Sequence, residues 1–207
     1  MKETRLTGGS FCKKGMKTRN LVIHDLGPAE WEKISGDYSG WNTVTDNGNI
    51  HPCIGCFSCW NRTPGICAIH DGYENMGSLI HQAEEVVVIS RYTYGGFSGS
   101  VKGVFDRCLG YVLPQFEITK GETHHKKRFD EDKPFTFIFY GTSLTEVEKE
   151  SARKYVKAVC TNIRGYVKEV IFRDCRGEAE TPEPESSEKP AAADSGKVIL
   201  LTGVCIT

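Results

Sequence analysis

The sequence lacks any long hydrophobic run. Apolar residues make up 39% of the chain, which is enough for a core, but no stretch of about 18 consecutive apolar residues could span a bilayer. The amino-terminal stretch "MKETRLTGGSFCKK" also lacks the apolar core of a secretory signal peptide. We therefore expect a cytoplasmic protein without a membrane partner.

A surplus of positive charge is also missing. The chain has 26 Lys and Arg against 27 Asp and Glu, for a net charge of −1, whereas nucleic-acid binding calls for clustered positive charge. The "GxGxxG" turn of dinucleotide-binding domains is absent, and no Ser-His-Asp or paired-carboxylate pattern is found. The sequence thus excludes nucleic acid as a first choice of partner and leaves catalytic side chains unknown.

Short apolar runs are present, and they are spaced along the whole chain. They are rich in β-branched and aromatic residues, as is typical of strands that are covered on both faces. The five runs are "LVIHDL" (Leu21 to Leu26), "EVVVIS" (Glu85 to Ser90), "PFTFIFY" (Pro134 to Tyr140), "VKEVIF" (Val167 to Phe172) and "KVILLT" (Lys197 to Thr202). They predict a five-stranded parallel sheet.

Helical patterns separate these runs. One helix is predicted from apolar residues at positions 76, 79, 80 and 83, and a second from those at 152, 155, 156, 159 and 163. Thr145 and Glu148 have the spacing of a capping box for the second helix, and Asp71 with Glu74 has the same spacing before the first. Alternating strands and helices predict a three-layer α/β domain.

Two segments interrupt the alternation. Glu178 to Gly196 is rich in Pro, Glu, Ser and Ala, so we expect a flexible linker within a single domain over residues 1–207. Tyr111 to Pro134 is too long for a simple connection, and we expect a lid or an oligomer contact there. Its basic run from His124 to Arg128 is either a phosphate site or, as we favour, a solvated patch offset by the acidic residues beside it.

The loop after the second apolar run combines glycines with aromatic residues. Gly95, Gly96 and Gly99 allow a ligand to approach the backbone closely. Tyr92, Tyr94 and Phe97 could offer flat faces to a planar ring. Ligands of open α/β sheets bind beyond the carboxyl ends of the strands, so this loop is a candidate binding site.

Four of the nine cysteines lie within "CIGCFSCWNRTPGIC". The spacing C-x2-C-x2-C-x7-C could bring the thiolates of Cys53, Cys56, Cys59 and Cys67 onto one iron–sulfur cluster. Four thiolates also suit a structural zinc ion. The third alternative is a packed loop with inert thiols and no metal. Spacing alone does not choose among the three.

Two stretches resemble motifs of one family, the flavodoxin-like NAD(P)H-dependent FMN reductases. The first is "SPxYxxxxSxxxKxxxDR", which is matched at Ser90, Ser98, Lys102, Asp106 and Arg107. The second is "CxGCFxCWxxxPGxC" followed by an aspartate, which is matched from Cys53 to Cys67 and at Asp71. The likeness extends from about Leu21 to Phe172.

This resemblance implies a flavodoxin-like three-layer fold, bound FMN, and NAD(P)H as the hydride donor to an unknown small-molecule or protein acceptor. The implied FMN-binding residues are Ser90, Arg91, Tyr92, Thr93, Tyr94, Gly95, Gly96, Phe97, Gly141 and Thr142. Iron–sulfur flavoproteins, which are relatives of this family, use the compact cysteine spacing for a [4Fe-4S] cluster. Members are commonly dimers, so we expect a homodimer or a higher homo-oligomer.

The chain departs from the family pattern in three places. Arg91 stands where the family usually has proline, and Thr93 stands where it usually has tyrosine. The amino terminus also lacks the family's first strand and phosphate-binding loop, while "KVILLTG" near the carboxyl terminus resembles that strand. With Leu21 to Leu26 as the second strand, the chain is either circularly permuted or the relic of a chain once fused to a further domain; the alternative is that the likeness is chance. An alternative function is a non-catalytic binding or assembly module that has lost its phosphate loop.

Overall fold

A computed structural model describes residues 20–174 of the chain. The strands are β1 (Leu21–His24), β2 (Asn42–Thr45), β3 (Val86–Arg91), β4 (Val112–Thr119), β5 (Glu122–Lys127), β6 (Lys133–Gly141) and β7 (Gly165–Asp174). The helices are α1 (Pro28–Ile34), α2 (Ser58–Asn61), α3 (Met76–Gln82), α4 (Gly99–Asp106) and α5 (Glu146–Asn162). Four of the five predicted strands are confirmed, and the fifth lies outside the described residues.

The main sheet has five parallel strands in the order β2-β1-β3-β6-β7. Leu21 pairs with Asn42 on one side and with Val86 on the other, so β1 lies between β2 and β3. Counted within this sheet alone, the strand order is 2-1-3-4-5, which is the flavodoxin-like order. The predicted fold class is therefore confirmed.

The position of β1 corrects one part of the sequence interpretation. Leu21–His24 occupies the first-strand place, not the second, because Asn42–Thr45 pairs beside it as the second strand. A carboxyl-terminal strand is therefore not needed to complete this sheet. The circular permutation was suggested because the first strand appeared to be missing, and that argument no longer applies. The proposed replacement, Lys197 to Gly203, lies outside the described residues.

Side chains alternate between the two faces of the sheet because successive strand residues point in opposite directions. On one face, Ile23, Val88 and Phe137 pack in the main core against α3, α4 and α5. On the other face, Val22 and Val87 form a smaller cluster with Trp31 of α1. Helices on both faces make the predicted three-layer arrangement.

The predicted capping box at the start of α5 is confirmed. Thr145 Oγ1 accepts a hydrogen bond from the Glu148 amide at 3.3 Å, and the Thr145 amide donates to Glu148 Oε2 at 2.8 Å. These contacts satisfy two of the amide groups that a helix start leaves unpaired. The box thereby fixes where α5 begins, directly after the loop that follows β6.

Three strands were not predicted from the sequence. β2 is the polar stretch "NTVT" at the edge of the sheet, and β4 and β5 form a separate antiparallel hairpin. The hairpin replaces most of the irregular segment predicted from Tyr111 to Pro134, and its basic run lies largely on β5. Among residues 20–174, no helix has the length and apolar character needed to traverse a bilayer.

Candidate functional site

The loops after β1, β3 and β6 meet at the carboxyl edge of the parallel sheet, where the strand order reverses between β1 and β3. In this topology, ligands bind in the crevice outside this edge. The loop after β3, residues 92–98, is the longest of the three and carries most of the predicted binding residues. This loop is therefore the centre of the candidate site.

Ser90 closes the base of the loop. Its side chain is buried and its Oγ accepts a hydrogen bond from the Ser98 amide at 2.9 Å, while its hydroxyl donates to the Arg91 carbonyl at 3.0 Å. Ser98 in turn caps α4, since its Oγ accepts from the Val101 amide at 3.4 Å. Both motif serines thus shape the loop by bonding to backbone.

The tip of the loop is a tight two-residue turn. Thr93 and Gly96 exchange both backbone hydrogen bonds, at 3.1 and 2.9 Å, and the two residues between them have positive φ, 46° at Tyr94 and 92° at Gly95. A turn of this type requires positive φ at both central positions, which is unusual for tyrosine. The Tyr94 ring is fully exposed. The turn therefore presents a flat aromatic ring to solvent at the crevice edge.

The other two aromatic residues of the loop pack inward. Tyr92 donates its hydroxyl to the Glu148 carbonyl at 3.3 Å and lies edge-on to Phe139. Phe97 is buried and contacts the rings of Phe105, Phe137, Phe139 and Tyr155. Phe97 is therefore closed to a ligand, and Tyr92 is partly buried against the core. Tyr94 is thus the one fully exposed ring among the three aromatic candidates for ligand binding.

The loop after β1 and the first turn of α1 each carry a carboxylate, Asp25 and Glu30. The Asp25 side chain accepts hydrogen bonds from the Arg91 amide at 3.2 and 3.0 Å, which ties the β1 and β3 ends together. Glu30 lies in the first turn of α1, and its Oε2 comes within 2.5 Å of the place a Gly27 side chain would occupy. Two negative groups at this position disfavour a phosphate dianion.

His24 ends β1 beneath this loop. Its imidazole is 3% exposed, stacks on Trp31 with ring centroids 4.0 Å apart, and has no hydrogen-bond partner for either ring nitrogen. Burial lowers the pKa of His24, and the nearby Asp25 charge offsets only part of that effect. The ring is therefore neutral near pH 7 and acts as a packing group.

The remaining predicted residues are Gly141, the last residue of β6, and Thr142, the first residue of the loop that follows. A cavity of about 90 Å³ lies beside it, lined by Gly141, Leu144, Lys149, Phe172, Arg173 and Asp174. A larger cavity of about 720 Å³ lies at the opposite, amino edge of the sheet, between the end of α3 and the start of β6. Because ligand sites of this topology lie at carboxyl edges, the larger cavity is not the candidate site.

The cysteine segment is held by one buried ion pair. Arg107, at the end of α4, is 3% exposed and donates from both terminal nitrogens to Asp71, at 2.7 and 2.9 Å. It also donates to the carbonyls of His51 and Ile69, at 2.8 and 2.9 Å. The guanidinium therefore fastens both ends of the segment 51–71 to α4.

Asp71 is the second half of this clamp. Besides Arg107, it accepts hydrogen bonds from the amides of His51 and Tyr73, at 2.8 and 3.2 Å. The Arg107 hydrogen bonds, followed by those amides, hold the pKa of Asp71 well below its usual range. The predicted role as a cap of α3 is wrong, because the cap position is Asn75, without a side-chain hydrogen bond.

The four clustered thiols differ in their surroundings. Cys56 is exposed, whereas Cys53, Cys59 and Cys67 are partly buried. Hydrogen bonding to the side chain and then the backbone of Ser58 lowers the pKa of Cys56. Burial, followed by the charges of Cys67, Cys53 and Cys56, raises the pKa of Cys59 to about 11. The four sulfurs are thus electrostatic neighbours around Cys59.

Proximity does not make these thiols a metal site. Within residues 20–174, no group of three or more His, Cys, Asp or Glu side chains is arranged to hold a metal ion. An iron–sulfur cluster or a structural zinc ion needs converging thiolates. The thiols do not converge in this way within the described residues, so this arrangement gives no support to either metal hypothesis drawn from the spacing.

No protein-family model and no curated protein matches the sequence. Among solved structures, the fold is similar to an azoreductase from Bacillus anthracis str. Sterne, with a TM-score of 0.49 and 15% identity over 73% of this chain and 85% of that one. It is also similar to azoreductase AzrA, with a TM-score of 0.46 and 14% identity over 74% of this chain and 86% of that one. A third similar structure is an FMN-dependent NADH-azoreductase from Bacillus anthracis str. Ames Ancestor in complex with FMN. Its TM-score is 0.45, with 11% identity over 74% of this chain and 85% of that one. The fold class is identified from the strand order described above and does not depend on these similarities.

Sequence reasoning missed the Arg107–Asp71 clamp as a contact, although it named both residues in separate motifs. The two residues lie 36 positions apart, and only the packing of α4 on the sheet brings them together. It also missed the aromatic stack that joins the cysteine segment to the hairpin, in which the rings of Phe57, Trp60 and His125 follow one another. The only hint of these two contacts in the sequence was that the motifs contain charged and aromatic residues.

Proposed function

We propose that this chain is a flavin-dependent oxidoreductase that holds the isoalloxazine ring at the crevice between β1 and β3, with NAD(P)H as the hydride donor. The observation that supports this proposal is the Thr93–Gly96 turn after β3, in which the Tyr94 ring is fully exposed. In sheets with this strand order, FMN binds beyond the ends of the first and third strands, next to such a loop. Strained backbone of this kind is typical of functional sites.

The ring side of the site suits a flat ligand. Tyr94 would stack on the isoalloxazine, and Gly95 leaves open space beside it, since an added side-chain carbon there meets only the Tyr92 hydroxyl at 4.0 Å. Gly141 and Thr142 would border the ring from the β6 loop. A bound flavin supplies hydride acceptance and electron transfer, and the protein supplies position and surroundings.

The phosphate side suits FMN less well. Asp25 in the loop after β1 and Glu30 in the first turn of α1 lie where the phosphate would bind, and α1 begins without a side-chain cap and with Pro28, which has no amide hydrogen. We therefore propose that affinity depends on the ring and that the phosphate adds little. Riboflavin and FMN should then bind with similar affinity.

Fluorescence titration of the full chain with riboflavin and with FMN tests both parts of the proposal. We expect micromolar binding of both flavins, and bleaching of the bound flavin by NADH or NADPH. Glu30→Gln should tighten FMN binding about fivefold without changing riboflavin binding, because two charges about 4 Å apart in water repel by about 1 kcal/mol. Glu32→Gln, on the exposed face of the same helix, is the matched control.

A second candidate is a non-catalytic flavodoxin-like module, which the two carboxylates at the phosphate position favour. Absence of binding by either flavin up to its solubility limit would establish this candidate and reject the oxidoreductase. FMN binding a hundredfold tighter than riboflavin would keep the oxidoreductase but reject the statement about phosphate.

A further inference from the structure

Cys56 and Cys59 are set in unlike environments only three residues apart. Among the six cysteines in the described part of the chain, Cys56 is the exposed one, while Cys59, in the short helix α2 that follows, is partly buried. A C-x-x-C pair with one accessible and one sheltered thiol is the arrangement in which the first sulfur can attack a substrate and the second can resolve the product.

The turn holds the Cys56 thiol in place. Phe57 has left-handed backbone, with a φ of 55°, and its carbonyl accepts from the amides of Trp60 and Asn61, at 2.9 and 3.2 Å. The Cys56 sulfur lies 3.5 Å from the hydroxyl oxygen of Ser58, the first residue of α2. The Cys56 thiol donates to this oxygen, and once the thiol is deprotonated the Ser58 hydroxyl would donate to the thiolate instead and stabilise it.

Cys59 belongs to a firmly anchored part of the segment. Its carbonyl accepts from the Gly65 amide at 2.8 Å. The next residue, Trp60, donates its indole N–H to the carbonyls of Leu109 and Val112, at 3.0 Å each. Cys59 therefore lies in the anchored helix α2, and the exposed Cys56 precedes it by three residues on the same short turn.

We propose that Cys56 and Cys59 form a redox-active dithiol that undergoes exchange with small-molecule disulfides of the glutathione disulfide class. The proposal is independent of flavin binding and needs no metal. It gives a role to the cysteine motif that the strand-end site leaves unexplained.

The exchange balances in two steps. The Cys56 thiolate attacks one sulfur of the small disulfide, whose S–S bond breaks, and the departing thiolate takes up a proton. Cys59 then loses its proton to solvent and attacks the Cys56 sulfur, which releases the second small thiol. The protein dithiol is oxidised by two electrons to a Cys56–Cys59 disulfide, and the small disulfide is reduced to two thiols. Excess thiol reverses the reaction.

Mass spectrometry of the full chain, reduced and then incubated with oxidised glutathione, tests this proposal. We expect peptide mapping of the wild-type protein to find a disulfide between Cys56 and Cys59 without a lasting glutathione adduct. Cys59→Ser should accumulate a stable mixed disulfide at Cys56, and Cys56→Ser should form neither product. Cys53→Ser is the matched control and should behave like the wild type.

Several results would overturn the proposal: a wild-type disulfide between Cys53 and Cys56, an adduct that persists on the wild-type protein, or no trapped adduct on folded Cys59→Ser. Rates of alkylation in the wild-type protein give a second measurement that does not depend on any variant folding. Cys56 should react with iodoacetamide at least tenfold faster than Cys59. Equal rates would reject the assignment of attacking and resolving thiols.

Discussion

Replacing Tyr94 with asparagine should raise stability and weaken flavin binding at the same time. A non-glycine residue in the left-handed region costs roughly 1–2 kcal/mol, and Tyr94 pays this cost at a φ of 46°. Asparagine tolerates this region, and asparagine followed by glycine is strongly favoured in a two-residue turn of this type. Because the Tyr94 ring is fully exposed, its removal sacrifices no buried area.

The expected gain for Tyr94→Asn is therefore about 1 kcal/mol, which corresponds to a rise of roughly 2–4 °C in the melting temperature for a chain of this size. Loss of ring stacking should weaken flavin binding by about 1–1.5 kcal/mol, or up to about tenfold. Thermal melting of the flavin-free protein and fluorescence titration measure the two effects separately. Tyr94→Phe keeps both the ring and the strain, so neither quantity should change.

Two results would refute this reasoning. If Tyr94→Asn bound flavin as tightly as the wild-type protein, the exposed ring would not be part of the ligand site. If it melted at a lower temperature, the turn would not be strained as the backbone angles indicate. Both effects together, with Tyr94→Phe unchanged, would show that the chain sacrifices stability at this turn to present an aromatic ring.

Two further predictions concern buried titratable groups. Asp71→Asn should destabilise the protein by about 3 kcal/mol at pH 7, because Arg107 keeps its charge without a charged partner. Urea denaturation measures the free energy of unfolding of both proteins. The difference between them should shrink as the pH falls below about 4, where an unfolded aspartate protonates. A difference that stays constant down to pH 2 would contradict the role of the Asp71 charge. His24 has a lowered pKa, so protonation favours the unfolded state and stability should fall as the pH decreases from about 6.5. His24→Phe keeps the stack on Trp31 and should remove this part of the pH dependence, and an unchanged slope would show that His24 does not cause it.

The strands and helices of the core were predictable because their sequences carry the pattern of their own burial. β3 and β6 are nearly continuous apolar runs, and they are covered on both faces of the sheet as such runs predict. The start of α5 follows from Thr145 and Glu148, which satisfy each other's neighbouring amides within a single turn. Local interactions alone decide these features.

The polar strands were not predictable in the same way. β2, "NTVT", has a residue pattern equally compatible with a loop, and it becomes a strand because β1 offers it an edge to pair with. The same pairing places Leu21–His24 first in the strand order, which the sequence interpretation had placed second. Strand neighbours are set by tertiary contacts that no short stretch contains.

The sequence by itself determined the fold class, the loop that carries the candidate ligand site, and the clustering of the cysteines. Only the tertiary structure decided which side chains are available there. It buries Phe97, covers part of Tyr92, leaves Tyr94 exposed, sets Asp25 and Glu30 beside the crevice, and joins Arg107 to Asp71. The reason is physical: residue type fixes what a side chain can do, whereas burial, charge and reach depend on neighbours distant in the chain.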